Sequence, residues 1–172
     1  ENIGHIGRTT TARLLHKGPA RAGRTVAHAL GLNKTDTVSR SVRVRYLGEA
    51  PMIHVETWVP EEIGARISGN QESDTPLILL IEQAGSEVAQ ARQSITATVA
   101  DPQVAKALDI PAGAPLIDAK RTVMDAQGRA VEYIRLLYRP EFYRFDMTMH
   151  RVSDEAGRKW SSGDKVSLEG PD

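Results

Sequence analysis

No cysteine occurs in the 172 residues, which excludes disulfides, thiolate metal sites and cysteine nucleophiles together. The simplest compartment for such a chain is the cytoplasm. Nor does any apolar run approach the roughly 20 residues that a membrane-crossing helix needs. A signal-peptide pattern is also missing, so no membrane partner is expected. There is no basic surplus: Lys plus Arg and Asp plus Glu number 22 each, for a formal net charge of zero. A domain that grips a duplex through phosphates normally carries such a surplus, so this stretch is not expected to bind DNA by itself. GxSxG, HExxH and P-loop patterns are absent. The five histidines (His5, His16, His28, His54 and His150) show no metal-ligand spacing. The expectation is therefore no metal, no cofactor and no catalytic residue. Glu56 and Glu132 are candidates for an acid/base pair, but no nucleophile or metal accompanies them.

What is present is one domain's length of chain with an ordinary 40% of hydrophobic residues. It also contains an internal repeat. Val26-Ala27-His28-Ala29-Leu30-Gly31-Leu32 reads against Val104-Ala105-Lys106-Ala107-Leu108-Asp109-Ile110, an offset of 78 that also pairs Arg43 with Arg121. After a two-residue insertion, an offset of 80 pairs Gly48 with Gly128, Trp58 with Tyr138 and Pro60 with Pro140. Each half reads as a short amphipathic helix, a strand, a Gly-containing turn and a second strand ended by Pro-Glu.

The expected elements follow from periodicity and punctuation. Strands are read at 9–16, 37–46, 52–59, 92–100, 116–124, 131–138 and 143–151. Helices are read at 20–30, 60–67, 77–83 and 103–108, the last capped by Asp101 and opened by Pro102. Strands joined by hairpins with helices between the pairs predict an α+β fold, a mostly antiparallel sheet with flanking helices.

Side chains alternate across a strand, so Arg43 and Arg45 share one face of theirs, opposite Val42, Val44 and Tyr46. In the next strand His54, Glu56 and Trp58 oppose Ile53, Val55 and Val59. If register sets the first group over the second, one face carries Arg43, Arg45, His54, Glu56 and Trp58. The repeat then adds Arg121 and Tyr138, the latter sharing parity with Glu132, Ile134 and Leu136. Ser94, Thr96 and Thr98 form a further polar stripe. Arginines two apart suit a carboxylate or phosphate. Glutamates accept from hydroxyls or amines, and aromatics give flat walls, as in a pocket with a few convergent polar groups.

The stretches Arg43-Val44-Arg45-Tyr46-Leu47-Gly48-Glu49-Ala50-Pro51, His54-Val55-Glu56-Thr57-Trp58-Val59-Pro60, Ala105-Lys106-Ala107-Leu108-Asp109-Ile110-Pro111-Ala112-Gly113-Ala114-Pro115 and Gly128-Arg129-Ala130-Val131-Glu132-Tyr133 resemble the UTRA effector-binding domain. So do Tyr138-Arg139 and Phe142-Tyr143-Arg144-Phe145. UTRA domains occur in HutC-type members of the GntR family of bacterial transcription regulators. The resemblance implies a chorismate-lyase-like fold, a homodimer, and an upstream winged helix-turn-helix through which alone DNA is bound; the start at Glu1 fits such a fragment. It implies an organisation of 1–7 linker remnant, 8–151 ligand-binding domain and 152–172 polar tail. It also implies a small anionic effector: a sugar phosphate, carboxylate or phosphonate. Arg43 and Arg45 match the arginines that hold the anionic group. Glu56, Glu132 and Tyr138 match ligand-lining positions, and Ser94 and Thr96 match polar contacts on the intervening strand. Two departures stand out. The family's further anion-gripping loop would lie upstream of Gly7, and Trp58 is bulkier than expected after the Glu-Thr pair, which narrows the pocket. The alternative reading is an enzyme like chorismate lyase, using Arg43 and Glu132 on an aromatic carboxylate.

Overall fold

The structure, a computed structural model, describes residues 10–67, 76–154 and 157–162, with side chains described through 151. In chain order the elements are β1 (Thr11–Arg21), α1 (Gly23–Leu30), β2 (Thr37–Leu47), β3 (Ala50–Pro60), α2 (Glu61–Gly64), α3 (Leu77–Gln83), β4 (Val88–Val99), α4 (Pro102–Leu108), β5 (Pro115–Asp125), β6 (Ala130–Tyr138), a 3-10 turn (Pro140–Phe142), β7 (Met149–Asp154) and β8 (Gly157–Ser162). Six strands form one sheet in the order β1-β2-β3-β6-β5-β4, every neighbouring pair antiparallel. This is the α+β architecture that the hairpins and intervening helices predict. No helix among the described residues is long and apolar enough to cross a membrane.

The strand order reads the same from both ends, β1-β2-β3 answering to β4-β5-β6. That symmetry is the internal repeat made physical. α1 and α4 occupy equivalent places and pack on the same face. Val26, Ala27 and Leu30 of α1 meet Val38 and Tyr133; Val104, Ala105 and Leu108 of α4 meet Val44, Leu116 and Leu137. Both helices end in a left-handed residue, Gly31 at φ 67° and Asp109 at φ 52°.

The opposite face is covered at its two ends. Ile63, Ile67, Leu80 and Ile81, on and around α2 and α3, bury Val59, Val123 and Val131. At the other end Phe142 and Tyr143 pack by Met52, Ile53, Val55, Ala119 and Tyr138. α2 lies close on β2 because Gly64 has no side chain; a Cβ there would collide with Ser39.

Three expectations need correction. β1 runs to Arg21, because Ala20 and Arg21 pair with Val38 and Thr37, and α1 starts only at Gly23. The strand read over 143–151 begins at Met149, since the 3-10 turn and the segment after it break the run. β7 joins β8 in a separate two-stranded sheet, so part of the stretch read as a tail is strand. The expected linker remnant at 1–7, the last ten residues and the side chain of Trp160 lie outside the described parts.

Asp101 caps α4: its Oδ1 accepts from the N–H groups of Gln103 and Val104, both at 2.9 Å, and Pro102 follows. Asp101→Ala strands both donors and should cost about 1 kcal/mol. That corresponds to roughly 2–4 °C in Tm for a chain of this size. An unchanged calorimetric Tm would mean that water replaces the cap at no cost.

Candidate functional site

Directly opposed residues in a sheet put their side chains on the same face, so the pairing register decides which groups meet. Arg43 lies opposite Val55 and Arg45 opposite Ile53. Val55 continues across to Leu136 and Ala119, and Ile53 to Tyr138 and Ile117. Arg121 stands opposite Ile134, which stands opposite Thr57, and Glu132 stands opposite Val123. One face therefore gathers Arg43, Arg45, Arg121, Glu132 and Tyr138, five of the nine residues singled out from sequence.

The other four are on the far side. Glu56 lies opposite Val42 and Arg135, Trp58 opposite Arg40 and Tyr133, Ser94 opposite Lys120, and Thr96 opposite Asp118. The expected convergence of Arg43 and Arg45 with His54, Glu56 and Trp58 is thus corrected: odd residues of β2 pair with odd residues of β3. The repeat needs the same correction. Arg43 opposite Val55 corresponds to Arg121 opposite Ile134, so β3 maps onto β6 with an offset of 79, not 80. A slip of one residue changes face, and Trp58 and Tyr138 point to opposite sides.

On the far side the charges neutralise one another. Arg40 bonds Glu56 at 2.6 Å and stands over the Trp58 ring, 6.0 Å from its centroid. Trp58 in turn stacks on Tyr133, with ring centroids 5.4 Å apart. Arg135 grips both oxygens of the buried Asp118, at 3.1 and 2.9 Å. Lys120 joins Asp118 at 3.4 Å, and the Thr96 hydroxyl donates to the Asp118 carbonyl at 3.4 Å. Burial lowers the pKa of His54 at the edge of this cluster. Glu56 thus ties β3 to β2 and Thr96 ties β4 to β5, while Trp58 stacked on Tyr133 joins the two halves of the sheet. An open groove of about 1120 Å³ also lies by the C-terminal end of α1, edged by His28, Glu61, Glu62, Arg92 and Arg129. It mixes both signs of charge and includes none of the arginines at 43, 45 and 121.

The first face brings its arginines together. Arg43, Arg45 and Arg121 are half-buried, and Glu132 is the buried carboxylate near them. Burial pushes the Glu132 pKa up to about 7, with Arg121 and Arg43 pulling the other way. Burial likewise raises Tyr138 to about 12, opposed by Arg121 and Arg45. Arg45 is lowered by burial and then by the neighbouring charge of Arg43. These couplings run among the same five side chains, which therefore share one electrostatic environment. Arg45 donates from Nε and Nη2 to the Thr10 hydroxyl at 3.1 and 2.9 Å. Arg121 donates from Nε to Gln93 at 2.8 Å, and Tyr138 packs on Tyr143 with centroids 4.9 Å apart. Among the described residues no cluster of three His, Asp or Glu could hold a metal.

Sequence reasoning missed three polar residues of this face. Ser41 lies opposite Thr57, and Lys17 opposite Ser41. Ser41 and Thr57 are buried, and the Nζ of Lys17 is shielded from solvent. The parity that selected Arg43 and Arg45 also selects Ser41 and Thr57. Lys17 is hidden by the register shift between Leu14 and His16, which moves it onto a face that simple alternation from Leu14 denies it.

The UTRA domain family matches residues 5–144. An HTH-type transcriptional regulator of Mycobacterium tuberculosis is 28% identical over 155 residues, which cover 88% of this chain and 56% of the regulator. The HTH-type transcriptional repressor NagR of Bacillus subtilis is 24% identical over 153 residues, covering 89% and 63%. The chain thus spans less than two thirds of the length of either. A Streptomyces coelicolor protein solved as a transcriptional regulator superposes with a TM-score of 0.73 at 33% identity, covering 79% of this chain and 90% of that one. The effector domain of PhnF from Mycobacterium smegmatis shares the fold, with a TM-score of 0.74 at 21% identity, covering 82% and 87%. The chain belongs to the UTRA domain family, and the relatives it resembles are transcriptional regulators.

Proposed function

We propose that this domain senses a small anionic metabolite held on the sheet face of Arg43 and Arg45, and that it works as a cytoplasmic homodimer of HutC type. The observation that carries the reading is the contrast between the faces. Glu56 and Asp118 are each matched to an arginine on one side, whereas Arg43, Arg45 and Arg121 gather with Glu132 and Tyr138 on the other. Arg43 and Arg45 would grip the anionic group, with Arg121 adding charge from the second half. Glu132 and the phenol of Tyr138 would take hydroxyl or amine groups of the ligand, and Ile53, Val55, Ile134 and Leu136 give it an apolar floor. Operator binding would belong to the part of such regulators that this chain does not span, and the domain would carry no catalytic residue.

A thermal-shift screen of sugar phosphates, carboxylates and phosphonates tests this reading, since a ligand at 100 times its Kd adds about 2.7 kcal/mol. No shift with any anion would remove it. The lyase alternative is separated by incubation with chorismate: turnover would favour the enzyme. Dimerisation is checked by sedimentation at micromolar concentration, where a monomer would contradict it for this chain.

Charge-assisted hydrogen bonds are worth about 1.5–3 kcal/mol. Arg45→Ala should therefore weaken calorimetric affinity for a screened ligand roughly tenfold to a hundredfold. Arg40→Ala, on the other face, should leave affinity within about twofold while lowering Tm, because Glu56 loses its partner. Equal affinity losses would refute the assignment of faces.

Glu132 also predicts a pH dependence. Its folded-state pKa, about 7, lies above the ordinary 4.5, so the folded chain holds its proton where the unfolded chain has lost it. The stabilisation is complete below the unfolded pKa and is lost as pH rises through about 7. Tm should fall between pH 5 and 7.5, and Glu132→Gln should flatten that part of the profile. A profile identical in the variant would assign the titration to another group.

A further inference from the structure

The six-stranded sheet has two outer edges, and only one of them is defended. β1, at one end of the strand order, carries Arg13 and Arg21, a proline at 19 and a register shift between Leu14 and His16. Charges, prolines and bulges are the devices that keep an exposed edge from recruiting another strand. β4, at the other end, is nearly bare of them. Its single charge is Arg92, it contains neither proline nor glycine, and its register with β5 is unbroken from Gln90 to Val99. Among the described residues it pairs with β5 alone. Every side chain from 89 to 97 is exposed, whichever face it points to.

A bare antiparallel edge offers a row of N–H and C=O groups that another strand answers best. The strand that fits is a second β4. A two-fold axis perpendicular to the sheet sets two β4 strands antiparallel and opposes residues of equal parity, so each face stays continuous across the junction. Centred on Ser94, at the middle of the strand, it sets Arg92 opposite the partner's Thr96 and Gln93 opposite the partner's Ile95. No like charges meet, because the one charged side chain of each strand faces a hydroxyl. The same operation carries the partner's Val99 to the end of the strand at Ala89, and Val99 is 64% exposed in the single chain. That end lies beside α3, which touches β4 and sits on the same face with Ile78 and Leu79 exposed. Apolar side chains left open in one copy are thereby brought together, twice by symmetry. Pairing β4 with the partner's β1 instead would leave a free edge at each end and propagate without closing.

We propose that two copies of this chain join along β4, antiparallel about Ser94, into one continuous sheet with both arginine faces on the same side. The inference rests on the homodimer reading above and gives it a surface. It also sets Gln93, the acceptor for Arg121, at the junction. The side chains proposed to hold the effector are then one hydrogen bond away from the partner.

The test uses the 172-residue chain, which has no cysteine of its own. Opposed residues on neighbouring antiparallel strands have Cα atoms about 4.5–5.5 Å apart, within the range that a disulfide spans. Ser94→Cys, oxidised at micromolar concentration, should therefore run as a covalent dimer on a non-reducing gel, whereas Arg13→Cys on β1 should not. Ser94→Lys sets two ammonium groups face to face across the axis and should weaken dimerisation in sedimentation at least about tenfold. Ser94→Glu should weaken it likewise. An equimolar mixture of the two variants should dimerise again, because each lysine then meets a glutamate, and that recovery also shows that both variants fold. A dimer that survives both substitutions, or single variants that fail to recover on mixing, would overturn the β4 junction and leave the homodimer reading standing. So would a Ser94→Cys dimer that does not cross-link, or one that cross-links no better than Arg13→Cys. A wild-type chain that sediments as a monomer at micromolar concentration would overturn both.

Discussion

Everything on the two faces of this sheet depends on the register between β2 and β3, where Arg43 lies opposite Val55 and Arg45 opposite Ile53. Strand side chains alternate with a period of two, so shifting this register by one residue would exchange every neighbour. The arginines would then meet Glu56 and Trp58, and the charge that distinguishes the face would be neutralised within the sheet. In the observed register Glu56 goes to Arg40 instead, and Arg43 and Arg45 face a row of aliphatic side chains. The register is fixed by packing on the far side. Val38 and Val44, both fully buried, must sit beneath α1 and α4, so the intervening odd residues of β2 have to point away.

The division of labour is therefore electrostatic as well as steric. On the helix-bearing face the ion pairs Arg40–Glu56 and Arg135–Asp118 lie on neighbouring strands at the junction of the two halves. Each carboxylate is largely enclosed, and removing its arginine would leave a buried charge without compensation. Each pair rivets two strands of one half, β2 to β3 and β6 to β5, and the Trp58–Tyr133 stack joins the halves. The other face keeps its arginines close to one another, and the charge of Arg43 lowers the pKa of Arg45.

Much of the fold was legible because its punctuation is local. Asp101-Pro102 starts α4, the Gly-containing turns close both hairpins, and the repeat of Val-Ala-x-Ala-Leu announces equivalent helices. The site was only half legible. Parity along a strand correctly grouped Arg43 with Arg45 and Glu132 with Tyr138, because those groupings need one strand alone. Joining strands needs register, and register is set by bulges that composition does not reveal. The shift between Arg45 and Tyr46 in the first hairpin and that between Val123 and Met124 in the second each alter the count across the turn. The first of these shifts was enough to carry Glu56 and Trp58 to the wrong side, and the alignment by Pro60 and Pro140 is separately one residue out of step with the strand pairing. The bulge after Leu14 concealed Lys17 in the same way. What failed in each of these cases was the face given to a residue.

On the proposed anion-sensing reading, the corrected repeat also accounts for how a nearly symmetric scaffold would bind an asymmetric molecule in one orientation. Arg43 has an arginine counterpart, Arg121, but Arg45 corresponds to Val123. Glu132 corresponds to Ile53 and Tyr138 to Val59. One half therefore contributes most of the positive charge, and the other contributes the acid and the phenol. Glu132 takes its elevated pKa from burial against the apolar end of the face, with Arg121 and Arg43 moderating it. A ligand turned end for end would place its anionic group against that carboxylate and leave the arginines unanswered, so like-charge repulsion adds to the loss of contacts. Duplication supplied two equivalent floors, and divergence at a few inward positions turned them into a cationic end and an accepting end. A sensor needs that polarity, because only a ligand held in one orientation presents the same outline to the rest of the regulator each time it binds.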